Sequence, residues 1–496
     1  MRNALRFLLS FSVVLAFSGV VAGQQISVFA TGLKTPIKVR LTPGGNLLVA
    51  EGGTGPNTGR LSVFARNGVR RTLIDGLPSG INTIGAQPTP IGPTGLEIVG
   101  DVLYVAIGSG DETLPGTIPG TEVSNPNASS PILSSVLKLR LGSVDSSAGN
   151  FVLAPSQHAA LKAGTELSLQ NTAGETMKIS LLVDFPDLVG TRGSNPFGMA
   201  AFGNRLFVVD ASFNQIQSVD PATGSYTTLT TFPQISNPLA PMGPPLIDPV
   251  PDSIRVSNGQ LLVTFLTGFP FPAGSASAAR VDPSTGAVQT FLTGLTTAID
   301  ILPVLQGSSS AFVLEFSTDM NAGAPGRLVF IDPVGVKTTF AAPLITPTNM
   351  AFDPQTREAF ITELGPGRIS RISLASIVSG FTCTADATSL CLNGGRYLVR
   401  AAYRTPQGTT ANGTAVSLTN TTGYFWFFSA DNVEVVVKVV DGCSFNARKW
   451  VFAGGLTNVS VTITVTDTQT GIIRMYDNPL NAPFQSVQDL TAFTCP

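Results

Sequence analysis

The sequence has one histidine and few charged residues, which excludes several classes of function. Only 12% of its 496 residues are charged, and 29 Lys and Arg against 31 Asp and Glu give a net charge of -2. Without a basic excess, there is no electrostatic footprint for nucleic acid or anionic lipid. One histidine cannot build a multi-histidine zinc site, and any Ser-His-Asp or Cys-His mechanism would depend on His158.

The composition also excludes a helical bundle and a disordered chain. Hydrophobic residues make up 43% of the sequence, and it contains 51 Gly and 36 Pro. Helical bundles are rich in Ala, Glu, Lys and Leu, and disordered chains have few hydrophobic residues and a high net charge. The composition is typical of strands joined by turns, so we expect an all-β fold.

The N-terminus has the parts of a secretory signal peptide, which we assign to residues 1–23. Arg2 and Arg6 precede an apolar run from Phe7 to Ala22, and polar residues follow it. The alternative is an uncleaved membrane anchor, but the run is short for a span of about 20 residues. We therefore expect a secreted or periplasmic protein with no membrane attachment after cleavage.

All four cysteines lie in the last quarter of the chain: Cys383, Cys391, Cys443 and Cys495. An even number in an exported protein predicts disulfides. Three pairings are possible, and the sequence does not choose among them. We favour Cys391 with Cys443 and Cys383 with Cys495, because the second bond would tie the ends of one domain together.

A five-residue strand pattern recurs six times along residues 24–376. The copies are Leu47–Glu51, Leu103–Ile107, Leu206–Asp210, Leu261–Phe265, Ala311–Glu315 and Ala359–Glu363. A Pro or Thr and another strand precede each copy, and turns such as Asp220–Gly224 follow. Four strands in about fifty residues is the pattern of a β-propeller blade, so the repeats predict a six-bladed β-propeller.

The two ends of this repeat region complement each other. The sixth copy lacks a fourth strand, whereas Ile26–Ala30 matches the end of a fourth strand. We therefore expect Ile26–Ala30 to pair with Arg368–Ile372 and close the ring, which would remove exposed sheet edges. The second repeat carries an insertion, in which a short helix around His158 is expected at the rim with His158 on the surface.

Two segments carry a resemblance to a known family. Leu266–Gly274 and Ser194–Gly198 resemble the ScyD/ScyE family of propeller proteins, and the similarity covers about residues 26–376. The single blade motifs are shared with NHL-type propellers generally. The resemblance implies an exported six-bladed propeller, and it brings no catalytic residues with it.

The predicted ligand site lies at the mouth of the propeller, where loops of successive blades converge. Its candidate residues follow the start of each repeat or lie in the Pro-rich loop: Thr94, Asn195, Phe197, Asp252, Asp300, Asn349, Phe269 and Phe271. Asp252 and Asp300 are also candidate ligands for Ca²⁺, a hard cation that prefers oxygen. No cofactor is required by this hypothesis. A bound cation would permit a lactonase-like or phosphotriesterase-like hydrolase without a histidine.

Acidic residues at the ends of the pentads have a structural explanation. Each Glu pentad is followed by a Gly-Arg, whereas pentads without an acid lack it. This co-occurrence predicts ion pairs between neighbouring strands rather than a ring of cation ligands. The expected pairs are Glu51 with Arg60, Glu315 with Arg327, and Glu363 with Arg368.

Residues 381–496 form a second region, rich in Thr, Val and Asn. Alternating apolar and polar residues, turns and the four cysteines predict a disulfide-bonded β-sandwich, joined to the propeller by residues 373–380. We expect a monomeric binding or scaffold protein whose partner is a small molecule or an extracellular polymer. The alternative is the cation-dependent hydrolase. A pyrroloquinoline-quinone sugar dehydrogenase is disfavoured, because no catalytic histidine is placed.

Overall fold

The computed structural model describes residues 25–495, apart from 86, 119, 258, 305–309, 333, 379–382, 384 and 469–471. The predicted signal peptide therefore lies outside the described residues, as do the last two residues of the predicted linker. In the part of the chain that is described, no helix has the length and apolar character needed to cross a bilayer.

The described residues between 26 and 373 form six sheets of four or five strands, which we number 1 to 6 along the chain and which are antiparallel apart from one added strand. Sheets 1 and 2 have four sequential strands and an extra strand each. The strands of sheet 1 are Pro36–Leu41, Leu47–Glu51, Gly59–Phe64 and Arg70–Leu77, with Phe151–Val152 parallel to the last. Those of sheet 2 are Pro93–Val99, Val102–Ile107, Ser135–Arg140 and Thr176–Asp184, with Leu167–Gln170 at the edge.

Sheets 3 to 6 have four strands each. Sheet 3 contains Pro196–Phe202, Arg205–Asp210, Gln215–Val219 and Tyr226–Thr231. Sheet 4 contains Pro251–Ser257, Gln260–Phe265, Ala276–Val281 and Val288–Leu295. Sheet 5 contains Ala298–Pro303, Ala311–Glu315, Gly326–Ile331 and Lys337–Leu344. Sheet 6 contains Pro347–Asp353, Glu358–Glu363, Arg368–Ser373 and, from the other end of the chain, Ile26–Ala30.

We call the first strand of each sheet its ring strand. Each ring strand contacts the next one in sequence, and the ring strand of sheet 6 contacts that of sheet 1. The expected partner of the N-terminal strand is confirmed, because Ile26 lies opposite Ile372 and Ser27 opposite Arg371. The pentads form the second strands, and their side chains are buried in the cores between sheets.

The insertion after the second pentad joins sheets 1 and 2. It contributes the hairpin Thr113–Pro115 and Glu122–Ser124, a 3₁₀ turn at Pro155–Gln157 and the helix His158–Lys162. The expected helix is present, but the expected surface position of His158 is wrong. This side chain is fully buried, and its ring hydrogen-bonds Ser130 Oγ at 2.9 Å and the carbonyl of Gly76 at 3.3 Å. Burial lowers the pKa of His158.

Three further elements lie in connections. Two are short hairpins, Gly80–Asn82 with Thr89–Ile91 and Ile235–Ser236 with Leu246–Ile247. The third is the helical turn Ala375–Val378, which follows sheet 6 directly. These elements connect sheets or extend beyond them, and they leave the order of the ring strands unchanged.

The C-terminal region contains two five-stranded sheets that share one hydrophobic core. One consists of Leu390–Leu392, Tyr397–Arg404, Thr410–Asn412, Ser460–Asp467 and Ile473–Asn478. The other consists of Thr414–Thr419, Thr422–Trp426, Val435–Gly442, Arg448–Gly455 and Val487–Thr494, and the helical turn Cys443–Asn446 lies between two of its strands. In the aromatic run, Phe425 and Phe427 face the core, whereas Phe428 is exposed.

All four cysteines form disulfides, but the pairing that we favoured is wrong. Cys383 bonds Cys391 and Cys443 bonds Cys495. Cys383 and Cys391 flank a tight turn, in which Asp386 and Ser389 bridge. The strand Arg448–Gly455 pairs with Val487–Thr494, and this pairing brings the chain end back to Cys443. In both cases, the pairing of nearby strand segments brings the two bonded cysteines next to each other.

The closing strand should stabilise the fold through Phe29. Its ring packs 4.9 Å from Phe360 of sheet 6 and 6.4 Å from Phe64 of sheet 1. We expect Phe29→Ala to lower the free energy of unfolding by about 2 kcal/mol, less than for a fully buried Phe. The control Val28→Ala changes a half-exposed side chain on the same strand. Urea unfolding measures both, and equal effects would contradict the closure contact.

The two disulfides should differ in their contribution to stability. Cys443 and Cys495 are separated by 52 positions in the sequence, whereas Cys383 and Cys391 are separated by 8. Loop entropy predicts a loss of about 4 kcal/mol without Cys443–Cys495 and about 2.5 kcal/mol without Cys383–Cys391. Denaturant unfolding of the double alanine variants measures this order. Peptide mapping without reductant checks the pairing, and a fragment that links Cys391 to Cys443 would refute it.

Candidate functional site

The six ring strands present a layer of polar side chains near their beginnings. We call it the polar layer, and it contains the residue two positions after each strand start. Its members are Lys38, Gly95, Gly198, Ser253, Asp300 and Asn349. At or next to this position, every ring strand shifts register against its neighbour in the sheet. The bulge bends each strand locally and re-aims the side chain at this point.

Two glycines in the polar layer allow the ring strands to approach closely. A Cβ on Gly95 would lie 2.6 Å from the carbonyl oxygen of Phe197, and one on Gly198 would lie 2.3 Å from that of Asp252. Both acceptors belong to the next ring strand, so only glycine fits here. The close packing leaves the remaining side chains of this layer buried.

Asp300 is the centre of a hydrogen-bond network in the polar layer. Its carboxylate accepts bonds from Ser253 Oγ (2.5 Å), Asn349 Nδ2 (2.6 Å) and the Met350 amide (2.9 Å). Arg255 adds two bonds, of 3.0 and 2.6 Å. Burial raises the pKa of Asp300, but Arg255, Lys38 and Ser253 outweigh this effect and hold the pKa below its usual value. Asp300 is therefore ionised and fully partnered.

A second layer lies two residues further along the ring strands. We call it the charged layer, and it contains Arg40, Glu97, Ala200, Arg255, Leu302 and Ala351. Arg40 forms a bidentate pair with Glu97, with one bond of 2.8 Å, and Arg255 reaches back to Asp300. Bidentate arginine–carboxylate pairs are the strongest charge-assisted bonds. Both arginines of this layer are thus committed to acids.

A cavity of about 480 Å³ adjoins both layers. We call it the ring cavity. Lys38, Ser253 and Asn349 line it from the polar layer, and all six residues of the charged layer line it as well. Thr466 and Ile473 of the C-terminal sheets also belong to the lining. Its size is that of a site for a small molecule.

Lys38 is the one cation of the ring cavity that has no acid within ion-pair distance among the described residues. It is 8% exposed, and burial lowers its pKa to about 8, although Asp300 and Asp252 oppose that shift. Asp252 is also buried, its Oδ2 has no hydrogen-bond partner, and burial raises its pKa well above the usual value. The site therefore holds a buried ammonium beside an acid that favours its neutral form.

The structure brings together three of the predicted site residues but not at an open mouth. Asp252, Asp300 and Asn349 are all buried around the polar layer, and only Asn349 lines the ring cavity. The ring cavity lies beyond the polar layer, along the later halves of the ring strands. The close approach of the ring strands buries these three side chains, and their binding of a ligand at the propeller mouth stays a prediction.

The other predicted site residues lie away from the ring cavity. Thr94 is buried and donates to the carbonyl of Pro196, and Asn195 accepts a bond from the Ser109 amide. Phe197 is partly buried and does not line the cavity. Thr94 and Asn195 are thus occupied by hydrogen bonds between the neighbouring sheets 2 and 3 or their adjoining loops.

The Pro-rich loop displays its two rings outside the cavity. Phe269 is 54% exposed, and its ring meets that of Phe271 edge to face at 6.1 Å. Asn321 Nδ2 donates to the carbonyl of Pro270 at 2.7 Å, which attaches this loop to the connection within sheet 5. Phe269 is therefore accessible on this loop, whereas Phe271 is partly buried.

Sequence analysis missed Lys38, Arg40, Glu97 and Arg255. Each is a charged residue within a strand, and its two neighbours along the chain are apolar and buried or partly buried. An alignment of the six ring strands on their first residue places these charges at only two positions, two and four residues further on. That shared placement is the signal that could have identified these residues as one group on neighbouring strands.

The acids at the ends of the pentads have structural partners. Arg327 Nε lies 2.6 Å from Glu315, and Arg368 Nε lies 2.8 Å from Glu363, as expected. Each acid also accepts the amide that precedes the ring strand of its own sheet, at 2.8 Å from Thr296 and 2.6 Å from Ile345. The carboxylates thus fasten the connection between successive sheets.

The expected pair of Glu51 with Arg60 is wrong. Glu51 instead pairs with Arg70 at 2.5 Å, and Arg60 pairs with Asp75 at 2.5 Å. Arg60 lies opposite both acids in register, but Asp75 on the outer strand is its nearer partner. Sheets 5 and 6 have no acid at the corresponding outer position, so their arginines turn to the pentad glutamates.

The residues proposed as calcium ligands do not form a cluster of acids. Among the described residues, the group of metal-ligating type that converges is Asp441 with Cys443 and Cys495, and these two cysteines are disulfide-bonded. Asp300 is saturated by donors, so its oxygens are poorly suited to a cation. Calcium binding by Asp252 and Asp300 stays a prediction.

Comparison with known proteins gives similarity to solved structures only. No family model and no curated protein matches the chain. The matching structures include a PQQ-bound aldose sugar dehydrogenase from Streptomyces coelicolor (12% identity, 71% of this chain, 98% of that chain, TM-score 0.37). Another is the Cps50 (Swd1) β-propeller domain from Myceliophteria thermophila, with 11% identity over 71% of this chain and 100% of that chain and a TM-score of 0.36. A third is a putative 6-phosphogluconolactonase from Bacteroides uniformis, with 13% identity over 75% of this chain and 82% of that chain and a TM-score of 0.33.

Burial of the Lys38 ammonium should reduce the stability of the fold. Its pKa is about 8 when folded against 10.5 when exposed, so the unfolded chain binds more protons between these values. We expect Lys38→Met to raise the free energy of unfolding by about 2 to 3 kcal/mol near neutral pH. This gain should shrink as the pH rises from about 8 to 10.5.

Denaturant unfolding over a pH series measures this effect. The control Lys34→Met removes an exposed charge just before the strand that contains Lys38, and it should change the free energy of unfolding little. A Lys38→Met protein that is less stable than wild type at neutral pH would show that the ammonium stabilises the fold, contrary to this expectation.

Proposed function

We propose that this chain is a secreted binding protein built on a six-bladed β-propeller of the ScyD/ScyE type. The six sheets, the contacts of each ring strand with the next, and the pairing of the N-terminal strand with sheet 6 support a closed ring. The two sheets around one C-terminal core support a β-sandwich. The Leu266–Gly274 motif remains the support for the family.

The observation that carries a binding function is the combination of the ring cavity with Lys38. A buried ammonium without an ion-pair partner is costly, and protein cores ordinarily exclude it. Residues retained against stability concentrate at functional sites. Since Lys38 lines a cavity of ligand size, we assign the cost to ligand recognition.

No second function is proposed. A cation-dependent hydrolase requires carboxylate oxygens that are free to bind a metal ion, and the six donors on Asp300 occupy both of its oxygens. Asp252 has one free oxygen, but burial favours its protonated form. These observations favour binding over metal-assisted catalysis.

The proposed setting is outside the cytoplasm, as a monomer. The support is the predicted signal peptide together with two disulfides, which persist in oxidising compartments. The proposed partner is a small molecule in the ring cavity. An extracellular polymer is the alternative partner, and it would use the exposed loops rather than the cavity.

A ligand screen with a blocked cavity tests this function. Thermal unfolding is recorded with a panel of sugars, amino acids, organic acids, amines and nucleosides. Ala201 lines the ring cavity and is partly buried, so Ala201→Phe should fill space there and abolish the shift of any hit. Thr227→Phe, on the exposed outer strand of the same sheet, is the control.

The expected result is at least one class of ligand that stabilises wild type and Thr227→Phe by several degrees but not Ala201→Phe. Circular dichroism and the midpoint of unfolding confirm that Ala201→Phe is folded. If no class binds, or if Ala201→Phe binds hits as tightly as wild type, the ring cavity is not the ligand site.

A further inference from the structure

The charges around the ring cavity leave one positive charge uncompensated. Its cations are Lys38, Arg40 and Arg255, and Arg40 and Arg255 are paired with Glu97 and Asp300. Among the described residues, no acid lies within ion-pair distance of Lys38, and burial raises the pKa of Asp252, the remaining acid near it. A ligand with a single negative charge would therefore complete the balance, whereas a dianion or a cation would leave a buried charge unpaired.

A second unpartnered polar group borders the cavity on the C-terminal side. Thr466 is 3% exposed, lines the ring cavity, and its Oγ1 has no hydrogen-bond partner. It belongs to the strand Ser460–Asp467, not to a ring strand. A buried hydroxyl without a partner costs free energy, so a ligand atom that bonds it gains affinity.

Between these two groups, the wall is mainly apolar. Leu96, Ile254, Leu302 and Phe352 contribute to it. A sugar would leave several hydroxyl groups facing these side chains without partners. A hydrocarbon body, by contrast, is stabilised by burial against them. The lining thus favours an amphiphilic ligand with polar groups only at its ends.

We propose that the ring cavity binds a small organic monocarboxylate, with its carboxylate at Lys38, its apolar body along the ring strands and a hydroxyl or carbonyl group at Thr466. This inference rests on the proposed function of the cavity and names the chemical class of its ligand. Because Lys38 belongs to sheet 1 and Thr466 to a C-terminal sheet, such a ligand would contact both parts of the chain.

Titration calorimetry with matched probes tests the carboxylate. The probes are the straight-chain acids from hexanoate to dodecanoate, their neutral amides and their primary amines. We expect the acids to bind at least about tenfold more tightly than the amides, the range for a charge-assisted bond. Lys38→Met should remove this preference, whereas Lys34→Met should retain it.

The pH dependence provides a second measure of the same contact. Asp300 on sheet 5, Asp252 and Arg255 on sheet 4, and Arg40 on its own strand are the charged groups that act on Lys38. A carboxylate binds the protonated amine, and the pKa of Lys38 is about 8. Affinity should therefore be constant near neutral pH and fall by up to about tenfold per pH unit above 8.

The ω-hydroxy acids of the same chain lengths test the far end. For the length that fits, the hydroxyl should improve affinity about fivefold, and Thr466→Val should remove this gain without weakening the plain acid. Thr464→Val, on the same strand but outside the cavity lining, is the control. An unchanged gain in Thr466→Val would refute the placement of this end.

The outcomes separate this inference from the proposed function. If Ala201→Phe abolishes binding of some ligand, but amides bind as well as acids or Lys38→Met leaves acid affinity unchanged, the cavity is a site and the carboxylate inference is wrong. If nothing in either panel binds, both are wrong.

Discussion

The close approach of six strand beginnings is the constraint on which the rest of the structure depends. It requires glycine at Gly95 and Gly198, where the next strand lies within contact distance of any Cβ. It also removes water from every polar side chain at that level, so each must find a partner inside the protein. The network centred on Asp300 meets this requirement with six donors, five from the two neighbouring ring strands and one from the amide of Ile301.

Lys38 is the exception to this pairing, and its position beside the ring cavity suggests that a ligand supplies the missing partner. It lies in the same layer as Asp300 and lines the ring cavity, yet it has no acid within ion-pair distance among the described residues. Arg255 has already taken both oxygens of Asp300. A cavity wall with one unpaired charge and one unpaired hydroxyl is a surface prepared for a complementary molecule.

The chain's own repeats predicted much of the fold but little of the site. Pentads and turns locate the strands because alternation and turn residues act locally, and the missing fourth strand of the last repeat identified its partner Ile26–Ala30. Asp252, Asp300 and Asn349 were found as a group, because each follows a repeat start. Lys38 was not identified, because the sequence around a lysine in an apolar strand is the same whether its amino group reaches solvent or a cavity.

Composition and periodicity by themselves determined the all-β character, the positions of the strands and the presence of disulfides. Only the tertiary structure decided which cysteines bond, that Arg70 rather than Arg60 meets Glu51, and that His158 is buried. The physical reason is the distance along the chain over which each interaction is determined. Strand formation depends on neighbours along the chain, whereas a bond or an ion pair depends on which of several distant candidates comes within a few ångströms after folding.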